Sequence, residues 1–521
     1  MGNYILVLDI GTTNIKAFLF DKRGEIVGET RRRPQYILDV PGQVEQDPKE
    51  IWEMSRQVLE EIIATKSLKS EDIDSLAIST QRASFLLWNK STGEPYTNII
   101  TWQDTRCAEF AEKTSNKFTF KAIRGLMKVL TKVSKNPFFI TASQLRFNSD
   151  YASARTGYLL AMNPELKKII EEKDTAWGTI DTWILWNLTE GKIHATDCTN
   201  ASSTGLLDPF KLVWNSIIYK TFKIPTHILP SILPSRGNFG NTTLFGGGKI
   251  PINSIMADQQ ASLFALFAGA PKVGDVKCTN GTGTFVDIFT GEKPMASKRK
   301  LYPLIAWGVN DEEGNIKPYY LLEGLSHNTG NIIDYIGSQL GFYTDPAETE
   351  VMAKSVADSK DPVFFVPSLT SGLSFPWWDE TSKAAIFGIS LSTKKEHIVK
   401  AVLEGICYRI KDIVEGMVKD TKINIQQIKL DGGVSQNKFV LQFLSNILGI
   451  EVEHSGNPET TALGTAFMAG LETGFWNSKE ELSEITKVDK IYTPQLTAKE
   501  IKEKYEFWKD VISRSLHYTK N

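Results

Sequence analysis

The sequence predicts an α/β protein with two related lobes that hold a nucleotide between them. Strand and helix patterns alternate along the whole chain, which is typical of α/β architecture. Two segments 270 positions apart, LVLDIGTTNIKAFLFD (6–21) and VKCTNGTGTFVDIFTG (276–291), each read as a strand, a Gly/Thr turn and a second strand. Such turns expose backbone N–H groups and hydroxyls, which suits a phosphate chain. The pair of turns predicts an ATP-dependent phosphotransferase.

The composition predicts a globular protein without nucleic acid as its main partner. A chain of 521 residues, 41% hydrophobic and 23% charged, is long enough for two or more domains. Its net charge of −2 disfavours nucleic-acid binding. The four cysteines are scattered, form no CxxC pair and indicate reduced thiols. With no signal-peptide pattern and no long apolar run, we expect a cytoplasmic location and no integral membrane association.

The order of patterns places the elements and the domain boundary. We expect a hairpin over 4–21, helices over 47–66, 179–188, 398–418 and 437–448, and strands over 74–79 and 428–430. The turn-rich stretch 235–251 predicts an N-terminal domain over 1–250 and a C-terminal domain over 251–521. Because each half opens with a Gly/Thr hairpin, the halves read as diverged copies.

Polar residues at the first turn suit phosphate and magnesium. Asp9 precedes Gly11-Thr12-Thr13-Asn14, and a carboxylate at a strand end beside phosphate donors can hold Mg²⁺ through water. Lys16 follows within reach of a phosphate. A lone Gly-Thr-Thr turn is more often only structural, but the second turn, 281–284, strengthens the phosphate interpretation. Neither turn fits GxxxxGK[ST], so a P-loop is excluded.

Four further segments carry candidate chemistry, each with a structural alternative. Asp258 can accept the proton of a substrate hydroxyl, or it can cap a helix. Arg82 and Trp102 follow predicted strands and suit a small hydroxylated substrate, or form an ion pair or cap at a sheet edge. Asp431-Gly432-Gly433 lets a flat base approach the backbone, or starts a helix capped by Ser435. The six histidines form no metal or triad pattern.

These motifs, in this order, resemble the FGGY carbohydrate kinases and, within them, the glycerol kinases. The likeness runs from Tyr4 to about Trp476, and its specific parts include ISTQRASFLLWNKSTGEP, WQDTR, GTIDTWILWNLTEG, ADQQASLFALF, NGTGTF and LDGGVSQNKFVLQFLSNILG. The pairing of TQRAS with NASSTGL is most similar to the divergent animal glycerol kinase 5 group. The resemblance implies two actin-like ATPase (ribonuclease-H-type) domains with a nucleotide cleft between them.

The resemblance also implies a reaction and the residues that perform it. Glycerol and ATP, with Mg²⁺, would give glycerol 3-phosphate and ADP, with Asp258 as the general base. The implied ATP contacts are Thr12, Thr13, Asn14, Lys16, Thr282, Gly330, Asp334, Gly433 and Asn437. The implied contacts to glycerol or a similar small polyol are Arg82, Gln259, Trp102, Tyr151 and Phe285. Whether the chain forms a homodimer is left open by the sequence.

The chain departs from the family pattern at the polyol site. Ala83 stands where glycerol kinases have Glu, which removes an acceptor for a substrate hydroxyl, and Ser84 would point to the opposite face of a strand. Tyr151 is the nearest match to the polyol-binding Tyr, although Asp150 can occupy its place. Asp334 stands where the family usually has a Gln near the nucleotide, and Lys16 stands where it has an Arg. Two alternatives therefore stay open: a kinase for another polyol or small sugar, and a weakly catalytic nucleotide-binding regulator.

One segment, 113–157, stands apart by its charge. It carries nine Lys/Arg against a single acid, Asp150, and its apolar residues Ile123, Leu126, Met127, Leu130 and Val133 recur at helical spacing. A basic amphipathic helix can lie on a membrane surface. More often it packs its apolar face on its own domain, and this is the expectation here.

Overall fold

Both predicted Gly/Thr turns join antiparallel strands in the computed structural model, which describes residues 2–245, 248–359, 362–370, 372–379, 381–486 and 488–518. In chain order its strands are β1 (Tyr4–Ile10), β2 (Ile15–Phe20), β3 (Ile26–Arg32), β4 (Glu45–Gln46), β5 (Ile73–Thr80), β6 (Phe85–Asn89), β7 (Ile99–Ile100), β8 (Thr175–Thr179), β9 (Ala195–Asp197), β10 (Leu207–Asp208), β11 (Val213–Trp214), β12 (Ser231–Leu233), β13 (Asn241–Thr242), β14 (Ile250–Ala257), β15 (Val276–Asn280), β16 (Thr284–Gly291), β17 (Tyr302–Asn310), β18 (Ile316–Ser326), β19 (Phe364–Val366), β20 (Ala385–Phe387), β21 (Gln427–Asp431), β22 (Glu451–Ser455) and β23 (Val488–Tyr492).

The α-helices surround these strands and alternate with them along the chain. In chain order they are α1 (Pro48–Thr65), α2 (Ala108–Ser115), α3 (Phe118–Val133), α4 (Pro137–Ser143), α5 (Ala152–Met162), α6 (Pro164–Glu172), α7 (Ile180–Leu188), α8 (Cys198–Ser203), α9 (Ser216–Phe222), α10 (Asp258–Leu266), α11 (Gly330–Ser338), α12 (Glu348–Ser355), α13 (Lys395–Thr421), α14 (Lys438–Leu448), α15 (Thr460–Thr473), α16 (Lys479–Ile485) and α17 (Ala498–Ser513).

The two large sheets share one topology, as the predicted duplication requires. Within the described residues the first sheet runs β13-β14-β5-β1-β2-β3 and the second runs β17-β18-β16-β15-β21-β22-β23. The order β3-β2-β1-β5-β14 is repeated as β18-β16-β15-β21-β22, with the same antiparallel and parallel pairings. The first sheet is covered on both faces, which is why β1 is apolar along most of its length.

Helices α10 and α15 pack against each other and join the two sheets. Their apolar side chains share one core with Phe18 and Met256 of the first sheet and with Phe289 and Trp307 of the second. A Cβ at Gly464 of α15 would lie 1.8 Å from the carbonyl oxygen of Ala261 in α10. Only glycine permits this close approach. The two sheets are therefore joined by closely packed helices with a shared apolar core.

A smaller unit stands beside the first sheet and carries one wall of the cleft. Its sheet runs β4-β7-β6-β8, and helices α2, α3, α5, α6 and α9 contribute to a separate apolar cluster that includes Phe85, Trp177 and Phe222. Trp102 and Tyr151 pack against this cluster. The unit thus positions two side chains that the sequence assigns to the substrate.

The predicted elements are present at nearly the predicted positions. Asp47 caps α1 by accepting from the backbone N–H groups of Lys49 and Glu50, with Pro48 as the first helical residue. The helix predicted over 398–418 is longer, because α13 spans Lys395–Thr421. Within the described residues, no helix is both long and apolar enough to cross a membrane.

The domain boundary predicted at residue 250 is too early. Strand β14, Ile250–Ala257, pairs in parallel with β5 and belongs to the first sheet, whereas the second sheet starts with β15 at Val276. A turn-rich composition occurs in connections between strands of one sheet as well as at boundaries between domains, and the stretch 235–251 is of the first kind. Gly246 and Gly247 of that stretch lie outside the described residues.

Candidate active site

The two Gly/Thr turns face one cleft between the lobes, with a cavity volume of about 240 Å³. Thr12 of the first turn and Thr282 of the second both line it, although they lie on different sheets. Eight of the predicted site residues line the cleft: Thr12, Arg82, Trp102, Tyr151, Asp258, Gln259, Thr282 and Phe285. The arrangement brings a phosphate-type surface and the predicted polyol residues together.

Asp258 lies at the first position of α10 and faces this cleft. Its Oδ1 accepts a hydrogen bond from the backbone N–H of Gln259 at 2.7 Å. Burial raises the pKa of the carboxyl, while the charge of Arg82 opposes that rise. A carboxyl with a raised pKa is a stronger proton acceptor than an exposed Asp. The alternative of a helix cap is not observed, because Ala257 is the N-cap residue.

Arg82 connects the two lobes through the cleft. Its Nη2 lies 2.8 Å from Oε2 of Glu323 on β18, and its Nε lies 3.6 Å from Oδ1 of Asp258. The guanidinium also lies over the ring of Phe285, 5.2 Å from its centroid. Burial raises the pKa of Glu323 to about 7 against the opposing charge of Arg82. Arg82 is therefore held with its donors directed along the cleft wall.

Gln259 is oriented by a buried lysine from β15. Lys277 Nζ donates to Oε1 of Gln259 at 2.6 Å, to its carbonyl oxygen at 3.1 Å and to Oδ2 of Asp287 at 3.0 Å. These bonds use all three ammonium donors. Since Oε1 is taken, Nε2 is the polar atom that Gln259 can offer to the cleft, and it is a hydrogen-bond donor.

Aromatic side chains form the other wall. Trp102 Nε1 donates to Oγ1 of Thr12 at 3.2 Å, which ties this wall to the first phosphate turn. Tyr151 and Tyr302 both line the cleft, with ring centroids 6.1 Å apart. Asp150 also lines it, and its Oδ2 accepts from Nδ2 of Asn148 at 2.9 Å. Both candidates for the missing family Tyr thus reach the cleft.

Ala83 adopts a backbone conformation that non-glycine residues rarely use. Its φ is +59° and its side chain lines the cleft, so a larger residue here would project into the polyol region. Ser84 does not replace the missing carboxylate. Its hydroxyl donates to Gln81 and accepts from the backbone N–H of Trp102. The prediction that Ser84 points elsewhere is confirmed, although it follows a bend at residues 82 and 83 and does not lie on a strand.

Asp9 and Lys16 stand on paired strands behind the first turn. Burial raises the pKa of Asp9 to about 7, although Ser79 donates to its Oδ1 at 2.6 Å. Lys16 Nζ forms a 2.6 Å ion pair with Glu459, next to α15. Thr13 and Asn14 complete the turn, which closes through a 2.9 Å bond from Gly11 N to the carbonyl oxygen of Asn14.

The second turn is pressed against the start of α11. Gly330 donates its backbone N–H to the carbonyl oxygen of Gly281 at 3.0 Å, and an added Cβ would lie 2.6 Å from the same oxygen. Gly330 is thus required by packing as well as being a predicted nucleotide contact. Asp334 lies one turn further along α11 on an exposed surface.

The Asp431-Gly432-Gly433 turn lies beside the second sheet. Gly432 has a φ of +90°, and an added Cβ would lie 2.6 Å from the carbonyl oxygen of Asn280, whereas Gly433 faces open space. Helix α14 is capped by Asn437 and not by Ser435, because Asn437 Oδ1 accepts from the N–H groups of Phe439 and Val440. Asp431 accepts hydrogen bonds from the hydroxyls of Thr279, Ser262 and Thr460, which belong to three elements.

Sequence reasoning missed Glu323, Lys277 and Tyr302. The signal for the first two was present, since each is the one charged residue in its stretch of strand, YYLLEGLS for Glu323 and VKCTN for Lys277, and buried charges are retained only with partners. Their partners were not readable from the sequence. No comparable pattern marks Tyr302.

Comparison with known proteins agrees with this geometry. Residues 4–265 match the model for the N-terminal domain of the FGGY family of carbohydrate kinases, and residues 276–472 match the model for its C-terminal domain. The chain is 38% identical to glycerol kinase 5 of Danio rerio over 99% of this chain and 97% of that protein. It is 37% identical to glycerol kinase 2 of Thermotoga maritima over 99% of each chain. A crystal structure of Plasmodium falciparum glycerol kinase with ADP superposes with a TM-score of 0.87 at 31% identity, covering 99% of this chain and 98% of that one.

Proposed function

Because the chain belongs to the FGGY family of carbohydrate kinases, it is an ATP-dependent phosphotransferase with an alcohol acceptor, and we propose that this acceptor is glycerol. The product would be glycerol 3-phosphate. The observation that carries the proposal is the position of Asp258, which faces a cleft lined by Thr12 and Thr282 of the two turns. Relatives named glycerol kinases, matched along their whole length, support the choice of substrate.

Asp258 acts as the general base in the proposed mechanism. Its carboxylate accepts the proton of the attacking hydroxyl while the oxygen of that hydroxyl bonds to the γ-phosphorus and ADP leaves. The raised pKa of Asp258 matches this task, because a proton acceptor works best near the working pH. Phosphoryl transfer depends mainly on positioning and charge stabilisation, so one base is sufficient.

The two turns bind the phosphates from both lobes. The phosphates receive hydroxyls, N–H groups and one ammonium from Thr12, Thr13, Asn14, Lys16 and Thr282. The ammonium is that of Lys16, which must leave its ion pair with Glu459 to bind a phosphate. Asp9 would hold the Mg²⁺ that accompanies ATP, whose charge neutralises the phosphates. A carboxylate oxygen is a ligand that Mg²⁺ prefers, and burial raises the pKa of Asp9 against the opposing charge of Lys16, so a bound cation would stabilise its ionised form. Gly330, Asp334, Gly433 and Asn437 contact the nucleoside.

The polyol lies between donors on one side and rings on the other. Arg82 and Nε2 of Gln259 donate to its hydroxyls, while Trp102, Phe285 and Tyr151 enclose its carbon atoms. Asp150 lines the same cleft and accepts from one hydroxyl. The hydroxyl that a Glu at position 83 would bind has no acceptor, because Ala83 carries no polar atom in its side chain.

A substrate panel tests the proposal directly. The purified protein is assayed with MgATP and glycerol, other short polyols and small sugars, and ADP and the phosphorylated product are both measured. Glycerol is expected to give the highest kcat/KM. If another polyol or sugar is better, the alternative motivated by Ala83 replaces glycerol as the substrate. Tight ATP binding without turnover on any acceptor would instead indicate a regulator. A cytoplasmic location belongs to the same proposal.

A further inference from the structure

Helix α3 packs only one of its faces against the protein. Phe120 is buried, and Ile123, Met127 and Leu130 are half-buried. The expectation that this amphipathic helix covers its apolar residues is therefore only partly correct. Leu126 and Val133, which belong to the same predicted apolar set, lie on the outside.

The outside of α3 carries a second apolar stripe. The outer stripe consists of Phe118, Leu126, Val129 and Val133, whose exposed fractions are 85%, 58%, 59% and 81%. At 3.6 residues per turn these four positions fall within an arc of about 80°. Scattered exposed apolar residues are normal on protein surfaces, but a continuous stripe along one helix marks an interaction surface.

A row of lysines runs beside the outer stripe. Lys121, Lys128 and Lys132 fall within an arc of about 40°, which starts about 40° from the edge of the stripe. None of the three forms an ion pair with any residue that the structure describes. The surrounding segment 113–157 contains nine basic residues and one acid. The partner of this surface must therefore be both apolar and negatively charged.

We propose that the outer face of α3 binds peripherally to the surface of an anionic lipid bilayer. The outer stripe enters the boundary between headgroups and acyl chains, and the lysine stems extend sideways so that their ammonium groups meet lipid phosphates. Each lysine near such a surface adds electrostatic attraction. A second copy of this chain does not fit, because it would place two rows of unpaired lysines opposite each other.

Vesicle flotation tests the proposal with the full-length protein. The protein is expected to float with phosphatidylcholine vesicles that contain phosphatidylserine, and not with phosphatidylcholine alone. Raising the ionic strength from about 0.1 M to about 1 M shortens the Debye length from about 10 Å to about 3 Å and should release much of the bound protein. Absence of binding to the anionic vesicles would overturn the proposal.

Two sets of variants separate the apolar and the charged contributions. Leu126→Asp with Val129→Asp should abolish binding, and Lys121→Glu with Lys128→Glu and Lys132→Glu should lower the vesicle affinity by at least about tenfold. Matched controls on other surfaces are Ile389→Asp with Leu391→Asp, and Lys499→Glu, which should leave binding unchanged. All variants should keep the melting temperature and kinase activity of the wild type, since none of these residues lines the cleft.

A fluorescent probe reports whether the stripe itself enters the lipid. The four native cysteines, Cys107, Cys198, Cys278 and Cys407, are buried, so a single introduced thiol can be labelled selectively. A polarity-sensitive dye on Leu126→Cys should shift to shorter wavelength with anionic vesicles, and the same dye on Ile389→Cys should not. Equal shifts at both positions would contradict insertion through α3. Self-association that Leu126→Asp abolishes, without vesicle binding, would assign the stripe to a copy interface instead.

Discussion

The ammonium of Lys277 lies 2.6 Å from Oε1 of Gln259, deep between the second sheet and α10, and it determines which end of that amide faces the cleft. The same ammonium pairs with Asp287, and both side chains are fully buried. A residue outside the cleft lining thus sets whether Gln259 presents a donor or an acceptor to the cleft. Lys277 is a positioning residue in this arrangement.

Removing Lys277 should affect polyol binding more than catalysis. The double variant Lys277→Met with Asp287→Asn avoids leaving a buried unpaired carboxylate, which would destabilise the fold by about 3–5 kcal/mol. It is expected to raise KM for the polyol about tenfold, because the Gln259 amide becomes free to rotate. KM for ATP should stay unchanged. The control is Asp287→Asn alone, which keeps the hydrogen bond from Lys277 to Gln259. If this control raised KM for the polyol as much as the double variant does, Lys277 would not be a positioning residue.

Replacing the proposed base should remove turnover without loss of ATP binding. Asp258→Asn is expected to lower kcat by about 10²–10⁴-fold, since an amide cannot accept the hydroxyl proton. Stopped-flow or steady-state assays measure kcat, and calorimetry measures the ATP affinity. Full turnover by this variant would rule out the assigned mechanism.

The activity should depend on pH through the ionisation of Asp258. Its pKa is raised by burial, and the base must be ionised, so kcat/KM should fall as the pH drops through a value above the ordinary 3.8. Arg82 lowers this pKa by its charge. Arg82→Met should therefore move the acid limb to higher pH, besides weakening polyol binding. A limb that moves to lower pH, or does not move, would contradict the assignment of the limb to Asp258.

Restoring a carboxylate at position 83 should strengthen glycerol binding. Ala83→Glu is expected to lower KM for glycerol by about five- to a hundredfold, which corresponds to one satisfied hydroxyl at about 1–3 kcal/mol. The control is Ala83→Gly, which adds no acceptor. It removes the strain of about 1–2 kcal/mol that a residue with a Cβ has at a φ of +59°. If Ala83→Glu weakens glycerol and improves another polyol, the site is adapted to that polyol.

Two glycines of the proposed nucleotide site should respond differently to the same added methyl group. Gly330→Ala forces a Cβ to within 2.6 Å of the carbonyl oxygen of Gly281 and should lower the melting temperature even without ATP. Gly433 faces open space, so Gly433→Ala should leave the melting temperature unchanged and raise only KM for ATP. Thermal unfolding with and without ATP distinguishes the two. An unchanged KM for ATP in Gly433→Ala would remove Gly433 from the nucleotide site.

The sequence by itself determined the two-lobed fold and most of the cleft. Apolar strands that end in Gly/Thr turns predicted both hairpins. Arg82 and Trp102 were candidates because they follow predicted strands, and Asp258 was a candidate because a carboxylate shortly before the second turn can accept a hydroxyl proton. Such signals are local: spacing, turn chemistry and capping act over a few residues.

The tertiary structure decided everything that depends on contacts between distant positions. Glu323 approaches Arg82 across 241 positions of the chain, Lys277 orients Gln259, and β14 stays with the first sheet beyond the predicted boundary. The apolar residues of the outer stripe of α3 have the same helical spacing as a stripe that is buried against a protein core. Only the packing of the folded chain shows that these residues are exposed. The physical reason is that burial and pairing are set by the whole folded chain, whereas the sequence pattern fixes only which side chains lie on one face.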